Sequence, residues 1–446
     1  TNGVITDLNG KFSLKVAPNS QFLVSYIGYK QQTIKVGSES TYNIVLKEDA
    51  EVLDEVVVVG YGSQKKVNVT GAVGMVSAEA LEARPVANAS QALQGVVPGL
   101  NLTVGNNGGA LDGTLNMNIR GAGTIGDGSG SSPLVLIDGI EGDLNTVNPN
   151  DIESVSVLKD AASASIYGVR ASFGVILVTT KSGKSGKTNV SYSGSARFSD
   201  AIGIPDIMDS YTFAQYFNRA SANKGGGDIF APAVMERIKA YQEGTLKATT
   251  VDNGAGIWQK WANANGNTDW FEEFYDHWAP SQEHNLSING GTDKTQYLIS
   301  GSFLDQKGLM RHGSDKFQRY TLNGKITTAV TDWFKVTYST KWTREDFERP
   351  TYLTGSFFHN LARKWPVHPA YDPNGFPMDE GEVEQMENGG KQNSQKDFYT
   401  NQLQLVFEPI KNWKINLDGS VRTTTQYQHW EVLPVYAYNV DGDPYY

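Results

Sequence analysis

The chain has 446 residues, a formal net charge of −10 and no cysteine, a length sufficient for two or three domains. Acidic balance without a basic stripe argues against a nucleic-acid partner, and the lack of cysteine excludes disulfides and thiolate metal sites. No apolar run approaches the roughly 18 residues of a membrane-spanning helix, although the alternating strands of a membrane β-barrel would give no such run. The opening TNGVITDLNG does not resemble a signal peptide and is typical of the interior of a β domain, whose beginning we expect upstream.

Residues 1–47 consist of short alternating segments separated by turn sequences. Phe12, Leu14 and Val16 lie on one side of the first segment, and the same pattern recurs at 22–26 and 42–46. Apolar residues at every second position, bounded by turns, predict β-strands. We therefore expect a small β-sandwich at the start of the chain.

A valine-rich segment follows, reading DEVVVVGYG. Its candidate binding residues are Asp54, Glu55, Val56, Val57, Val58, Val59, Gly60 and Tyr61. Four consecutive valines make a strand that is apolar on both faces, which is normally buried within a sheet. Because this strand lies between regions of different composition, two interpretations stay open. It is either the last strand of the N-terminal domain or a strand that pairs with the sheet of another protein.

Residues 64–185 predict a compact domain of mixed strands and helices. Asn88 is a candidate N-cap for a short helix through Gln94, and Asp160 is a candidate cap for a second helix rich in alanine and serine. The expected strands lie at 116–120, 134–137, 154–158 and 174–180.

The stretch 121–126 is a literal G-x-G-x-x-G sequence. A dinucleotide fold requires a helix directly after it, whereas residues 127–132 are glycine, serine and aspartate. We therefore do not expect nucleotide binding.

From residue 188 onward, apolar residues alternate with small, polar or charged ones over segments of about ten residues. This is the lipid-facing and lumen-facing pattern of an outer-membrane barrel. The alternating segments lie at 190–198, 283–289, 295–304, 320–326, 334–342, 401–407 and 413–427.

The connections between these segments also fit a barrel. Tight turns at 290–293, 329–332 and 409–412 alternate with longer loops. Short turns at one rim and long loops at the other are typical of barrels, with the short side periplasmic and the long side extracellular. The longer loops are 200–282, 305–317 and 346–398. Seven strands leave two open edges that lipid does not tolerate, so we expect the remaining strands outside this sequence.

Taken in chain order, the β-sandwich, the valine strand, the compact mixed domain and the barrel strands resemble a SusC-type TonB-dependent outer-membrane transporter (the SusC/RagA family) of Bacteroidetes. The segment 54–62 resembles the family's TonB box, and residues 134–183 resemble its plug signature almost throughout. Ile119-Arg120-Gly121 is similar to a tripeptide of the plug. Residues 208–220 and 268–308 resemble its first extracellular loop and first barrel strands.

The resemblance implies a mainly β protein in four parts. They are a carboxypeptidase-regulatory-like β-sandwich extension at 1–50, a TonB-box linker at 51–63, an α+β plug at 64–186, and the first strands of a large antiparallel transmembrane β-barrel at 187–446. The family's complete barrel has about 22 strands, a size at which the lumen needs a plug. The barrel in this chain is therefore incomplete.

The resemblance also implies a function and partners. Members of the family import oligosaccharides, and in some cases oligopeptides, across the outer membrane. TonB, energised through ExbB and ExbD, pairs with the valine strand, and a SusD-like surface lipoprotein closes the extracellular mouth as a lid. Pairs of the two proteins can assemble as dimers. No cofactor and no metal ion are expected.

Candidate cargo-binding residues follow from the chemistry of sugars, which bind to aromatic faces and to amide or carboxylate groups. The loop candidates are Trp258, Trp270, Tyr352, Phe358, His359 and Trp365, and the plug candidates are Asn106, Asn107, Asp112 and Asp127. The alternative for the loop aromatics is packing within the loops or contact with the lid. The alternative for the plug residues is that Gly-Asn sequences simply form tight turns.

We find no catalytic constellation in the sequence, since the six histidines include no H-E-x-x-H motif. We therefore do not expect an enzyme. Two other functions compete with import: a surface glycan receptor that does not transport, and a β-sandwich glycoside hydrolase. The first predicts that the valine strand is dispensable, and the second does not explain the alternating loop lengths.

Overall fold

The computed structural model describes residues 132–446 continuously and most of 73–121, together with shorter stretches between 4 and 65. Residues 1–3, 5, 8–9, 18–19, 26–30, 38, 47–55, 60–61, 66–72, 83, 85, 105–110, 112–114 and 122–131 are not described. The chain divides into two compact units, residues 1–70 and residues 71–446.

In the first unit, strand β1 (Gln21–Val24) pairs antiparallel with β2 (Gln32–Lys35). The Phe22 ring lies 6.0 Å from the rings of both Phe12 and Tyr42, between centroids, so the alternating aromatics meet as their pattern predicts. The strands expected at 11–16 and 42–46 are not regular strands in the described part of this unit. The Tyr42 hydroxyl instead accepts a 2.7 Å hydrogen bond from the backbone N–H of Gly37, just after β2.

The four valines form strand β3 (Val56–Val59), which pairs antiparallel with β4 (Gly62–Lys65). Within the described residues, this ribbon is separate from the β1–β2 sheet and β3 has β4 as its single neighbour. A two-stranded ribbon of this length is marginally stable in water by itself. The backbone of β3 is thus extended and has one edge that does not pair within the described chain.

The plug begins with strand β5 (Val73–Ser77), the edge of a five-stranded sheet. The other strands are β8 (Leu134–Ile137), β9 (Ile140–Glu141), β10 (Ile152–Leu158) and β11 (Val175–Thr180), in the order β5-β10-β11-β8-β9. Strand β11 is parallel to β8, and the other pairs are antiparallel. A separate hairpin joins β6 (Leu100–Val104) to β7 (Leu115–Ile119).

Three short helices pack beside this sheet: α1 (Ala78–Glu82), α2 (Ala89–Leu93) and α3 (Ala161–Ala164). The Asn88 side chain accepts the backbone N–H of Gln91 at 2.9 Å, and the Asp160 carboxylate accepts that of Ser163 at 2.7 Å. Both predicted N-caps are therefore confirmed. The 3-10 turns are Leu144–Thr146, Pro149–Asp151 and Ser165–Ala171.

The plug has its own hydrophobic core, and every buried member of that core lies between residues 76 and 178. Strands β10 and β11 each contain consecutive buried residues and are therefore buried on both faces over most of their length. Leu81 and Leu93 from the helices close the core over the sheet. The plug is therefore stabilised by apolar contacts within itself.

The barrel wall consists of seven antiparallel strands, each paired with its neighbours in sequence. They are β12 (Gly186–Ser199), β13 (Ala279–Gly291), β14 (Thr295–Lys307), β15 (Lys316–Thr331), β16 (Phe334–Pro350), β17 (Lys391–Ile410) and β18 (Trp413–Trp430). The seven predicted strands are confirmed. Within the described residues β12 and β18 are the two edges, so the wall is an open sheet and not a closed barrel.

The strands are longer than the predicted ten residues, and the expected loop 346–398 is shorter, since β16 continues to Pro350 and β17 starts at Lys391. The prediction was wrong here because the apolar alternation stops where the strands leave the lipid, whereas their pairing continues. Cross-strand charges accompany this extension: Arg344 lies 2.8 Å from Asp397, and Lys391 lies 3.3 Å from Glu348.

The two longer loops contain five helices. These are α4 (Ser210–Asn223), α5 (Pro232–Gln242) and α6 (Trp270–Phe274) between β12 and β13, and α7 (Gly355–Leu361) and α8 (Val383–Asn388) between β16 and β17. The short strands β19 (Ala437–Tyr438) and β20 (Pro444–Tyr445) follow the wall. Among the described residues, no helix is both long and apolar enough to cross a membrane.

Replacing Leu93 by alanine should destabilise the plug by about 2–5 kcal/mol, because this fully buried side chain leaves a cavity in the plug core. The measurement is the urea concentration at which a protease cleaves the plug within the full-length protein. Val169→Ala is the matched control, since Val169 is 90% exposed. Equal midpoints for the two variants would contradict an independent plug core.

Candidate functional site at the interface of plug and wall

The tight turn between β8 and β9 carries an acidic side chain to the wall. Asp138 and Gly139 both have left-handed backbone conformations, with φ of 50° and 86°. Glycine adopts this conformation without strain, and aspartate tolerates it better than most residues. The Asp138 carboxylate accepts hydrogen bonds from the Thr180 backbone N–H at 2.9 Å and the Thr180 hydroxyl at 2.6 Å. These bonds fix the carboxylate against the end of β11.

Three wall side chains converge on this turn. The Lys341 ammonium on β16 lies 2.5 Å from Asp138 Oδ2, and the Lys325 ammonium on β15 lies 3.7 Å from Oδ1. The Gln402 amide on β17 donates to the Asp138 carbonyl at 3.1 Å. We call this group, with Thr180, the Asp138 clamp. It joins the plug to three neighbouring strands of the wall.

The electrostatics of the clamp keep Asp138 ionised. The side chain is 8% exposed, and burial by itself would raise the pKa of its carboxyl. Lys341 and Lys325, followed by the hydrogen bond from Thr180, outweigh burial and hold that pKa well below its usual value. One buried carboxylate therefore faces two ammonium groups, and the pairing depends on all three charges.

A second set of plug contacts lies beside the clamp. Arg319 on β15 is 2% exposed, and its guanidinium donates to the backbone carbonyls of Asn145 at 2.8 Å and Ala87 at 2.6 Å. The Thr343 hydroxyl donates to the Thr146 carbonyl at 3.1 Å. Further hydrogen bonds join Asn323 to Asp151, Arg422 to the Glu141 carbonyl, and Asn148 to Asn285.

A cavity of about 330 Å³ lies between the plug and the wall beside these contacts. The plug side includes Glu141, Asp143 and Thr146, and the wall side includes several threonines. The wall threonines are Thr340, Thr343, Thr400 and Thr424. The cavity lining thus combines hydroxyl and charged groups with apolar side chains of the plug and the wall, such as Ile140, Leu298 and Phe398. The buried apolar core described above belongs to the plug alone.

Two predicted cargo-binding residues lie inside the extracellular loops. Trp270 is 0% exposed, its indole N–H donates to the Trp365 carbonyl at 3.0 Å, and the Lys364 ammonium lies 4.8 Å from its ring centroid. The Trp365 ring packs against Phe213 at 5.5 Å. In this conformation these residues pack within the loops, which is the alternative that the sequence left open.

The other loop candidates lie nearer the surface. Tyr352 is 37% exposed and His359 is exposed, whereas Trp258 and Phe358 are half-buried. The four plug candidates Asn106, Asn107, Asp112 and Asp127 lie outside the described residues. Of the valine segment, only the backbone of β3 is described, and Asp54, Glu55, Gly60 and Tyr61 are not. The roles assigned to all these residues stay predictions.

From the sequence, neither Asp138 nor the two lysines is predicted as a site residue. A signal for them was present, because Lys325 and Lys341 lie on the polar side of alternating strands, within the span that crosses the membrane. An ammonium group at such a depth requires a counter-charge. Asp138, 203 residues before Lys341, supplies it.

Comparison with known proteins identifies the family. The model of the TonB-dependent receptor plug domain matches residues 65–175, and that of the CarboxypepD_reg-like domain matches residues 1–58. The TonB-dependent receptor SusC of Bacteroides thetaiotaomicron is 34% identical over 332 residues, which cover 72% of this chain and 29% of that protein. The chain belongs to the SusC-type TonB-dependent receptors.

Other SusC-type relatives agree. The TonB-dependent receptor P39 of Formosa agariphila is 32% identical over 369 residues, covering 82% of this chain and 32% of that protein. Among solved structures, the RagAB peptide importer in its open-open state superposes with a TM-score of 0.67 at 26% identity, covering 85% of this chain and 43% of that one. The chain thus spans about a third of the length of these curated relatives.

The family membership confirms the resemblance drawn from the sequence, the mainly β fold class with a plug and a partial barrel, and the location in the outer membrane. The longer loops of this SusC-type outer-membrane receptor are those on the extracellular side.

Replacing Lys341 by methionine should weaken the attachment of the plug by about 3–5 kcal/mol, because removing one partner of a buried ion pair leaves the other charge inadequately compensated. We expect increased ion conductance of the full-length receptor in planar bilayers without TonB. Lys335→Met is the control, since Lys335 is an exposed lysine on the same strand. Equal conductance of the two lysine variants would contradict the clamp.

Replacing Trp270 by alanine should destabilise the extracellular loops by about 3–5 kcal/mol, because a fully buried indole is removed. Trp278→Ala is the control, since Trp278 lies on the same loop and is 68% exposed. Protease cleavage of the loops in intact cells measures the difference. Faster cleavage in Trp278→Ala than in Trp270→Ala would show that Trp270 does not support the loop interior.

Proposed function

We propose that this chain is part of an importer that uses TonB to move oligosaccharides across the outer membrane. The observation that carries the proposal is the contrast between the two kinds of contact made by the plug. Its buried apolar core is internal, whereas ion pairs and hydrogen bonds of Asp138, together with the hydrogen bonds of Arg319, join it to the wall. A plug built in this way can move relative to the wall without losing its own core.

The physical reason lies in hydration. Separating two apolar surfaces in a wet lumen exposes them to water at a cost that grows with their area. Separating Asp138 from Lys341 and Lys325 instead lets water solvate each charge, so that the lost contacts are replaced. The cost of moving the plug is therefore limited, while the paired state stays specific.

In this proposal, TonB exerts its force on the receptor through the valine strand. In this proposal Asp54, Glu55, Val56, Val57, Val58, Val59, Gly60 and Tyr61 pair with a strand of TonB, energised through ExbB and ExbD. The extended backbone of β3, with one edge that does not pair within the described chain, supports strand addition. The chain then leads to β5, an edge strand of the plug sheet, whereas β8 and β9 at the opposite side carry the Asp138 turn.

The proposed domain boundaries are those expected from the sequence: extension 1–50, linker 51–63, plug 64–186 and barrel 187–446. We further propose a SusD-like surface lipoprotein as the lid over the extracellular loops, and dimers of such pairs. The surface position of Tyr352 and His359 supports these two residues over Trp270 and Trp365 as direct contacts to cargo. Nothing in this proposal requires an enzymatic activity.

The alternative cargo is an oligopeptide. It is favoured by the structural similarity to the RagAB peptide importer, whereas the aromatic residues of the loops favour sugars, because flat rings stack on sugar faces. Calorimetric titration of the full-length receptor with its lid protein, against a panel of oligosaccharides and a panel of short peptides, separates the two. Binding of one sugar class alone supports the proposal, and binding of peptides alone replaces the cargo while leaving the importer.

Replacing Val57 by proline should abolish energy-dependent uptake and leave cargo binding unchanged, because proline removes a backbone N–H that strand pairing uses. Val57→Thr is the matched control, since threonine is also β-branched and keeps that N–H. Uptake of labelled cargo by whole cells is the measurement. Unchanged uptake in Val57→Pro, and also after deletion of residues 54–62, would show that uptake does not depend on strand pairing with TonB and would contradict the proposal.

A further inference from the structure

One buried histidine contacts all three extracellular loops that connect the strands of the wall. His312 lies between β14 and β15 and is 6% exposed. Its Nε2 lies 2.9 Å from Glu273 Oε1 on α6, in the loop before β13. Its Nδ1 lies 2.7 Å from Glu387 Oε1 on α8, in the loop before β17. A single imidazole ring thus joins elements that are 39 and 75 residues away in sequence.

The two contacts require a particular protonation state. An ionised carboxylate only accepts hydrogen bonds, and a neutral imidazole has a single N–H. Both ring nitrogens of His312 face carboxylate oxygens, so both hydrogen bonds form together only when the ring carries two protons and a positive charge. A neutral ring would place a bare nitrogen lone pair against one of the carboxylates.

The surroundings make this junction tight. The Phe274 ring meets the imidazole edge-on at 5.3 Å, and Met310, Phe357 and Met386 belong to the apolar cluster beside it. Gly313, with φ of +78°, approaches α8 so closely that a Cβ there would lie 2.4 Å from the Met386 carbonyl oxygen. The loop therefore cannot shift towards α8 to compensate for a lost hydrogen bond.

Further charged or titratable groups near the junction include Arg311, Tyr371 and the buried carboxylate Asp315 of the same loop. Arg311 donates to the Tyr275 carbonyl at 3.2 Å. Burial, together with the charges of Glu273 and Glu387, raises the pKa of Tyr371 to about 12, so this hydroxyl is neutral over the physiological range. Glu273 and Glu387 are thus the carboxylates that face the ring directly, and His312 is the group that titrates near neutral pH.

We propose that His312 is a proton-binding site that fastens the three extracellular loops together when charged and loosens them when it loses a proton. The proposal does not depend on which cargo is imported, or on whether the receptor transports at all.

The direction of the pH dependence follows from linkage. Burial by itself would lower the pKa of His312, but the hydrogen bonds and charges of Glu273 and Glu387 outweigh it and raise that pKa. A raised pKa in the folded state means that the stabilisation is fully present below the ordinary histidine value of about 6.5 and is lost as the pH rises through the folded value. The loops should therefore loosen as the pH rises above the ordinary histidine value.

A second buried histidine in these loops has the opposite behaviour and provides an internal comparison. Burial, followed by the charge of Lys364, lowers the pKa of His368 to about 4. Its neutral form is the folded one, so its contribution is lost only as the pH falls below the ordinary histidine value. Effects seen in acid therefore include His368. His277 lies in the 266–278 segment, and hydrogen bonds with Glu272 and Asp200 also raise its pKa. Effects at higher pH are therefore assigned to His312 from the segments 308–315 and 381–390.

The test is hydrogen–deuterium exchange of the full-length receptor in detergent between pH 6 and pH 9, with rates corrected for intrinsic exchange. Protection of peptides from 266–278, 308–315 and 381–390 should fall as the pH rises, by up to about tenfold per pH unit for the loss of one proton. His312→Gln should show lower protection that is independent of pH. Glutamine donates through one amide nitrogen only and does not titrate.

His359→Gln is the matched control, because His359 is an exposed histidine of the same loop as Glu387. It should keep the wild-type pH dependence. A second variant, Glu387→Gln, removes one of the two charges and should move the midpoint of the wild-type curve to lower pH, which tests the proposal even if His312→Gln does not fold. Wild-type protection that is flat from pH 6 to 9, or an unshifted midpoint in Glu387→Gln, would overturn the proposal.

Discussion

The plug of this receptor depends on a buried carboxylate that is balanced from the wall. The strands β14 to β17 turn polar and charged side chains towards the plug, since their apolar side faces lipid. A plug with an apolar outer surface would leave the Lys325 and Lys341 ammonium groups buried without a counter-charge. Asp138 supplies that charge at the tip of a turn that only a left-handed residue pair can form. The geometry of the Asp138 turn, the polarity of the inner face of the wall and the position of the plug therefore depend on one another.

In this arrangement, one set of contacts stabilises the plug and another fixes its position, whereas a single apolar core would do both. Apolar burial between residues 76 and 178 stabilises the plug as a folded body. Polar contacts determine where that body sits, because several donors in the wall have a defined acceptor in the plug, such as the Asn145 carbonyl for Arg319. Water can replace such contacts one at a time, whereas it cannot replace apolar packing without a large loss of free energy. The interface therefore combines a specific resting position with a limited cost of release.

Local patterns predicted what depends on local physics. Period-two alternation located all seven wall strands, and the caps at Asn88 and Asp160 followed from side chains that satisfy the first N–H groups of a helix. Strand ends were predicted less well, because above the membrane pairing is maintained by cross-strand partners such as Arg344 and Asp397, which leave no alternation. The partners of Asp138 could not be predicted, since Lys341 lies 203 residues away and no sequence period connects them.

In the extracellular loops, a buried charged side chain also joins separate segments of the chain, but it is a histidine instead of a lysine. Trp270 and Phe274 give them an apolar interior, so the aromatic composition that suggested a cargo site partly reflects a small folded core. His312 then fixes the register of three loops through charge-assisted hydrogen bonds, as the Asp138 clamp does for the plug. A lysine would hold its charge at every physiological pH, whereas an imidazole between two carboxylates can lose its charge in mildly alkaline surroundings. The loops are consequently the part of the receptor whose cohesion responds to the medium outside the cell, while the plug contact does not.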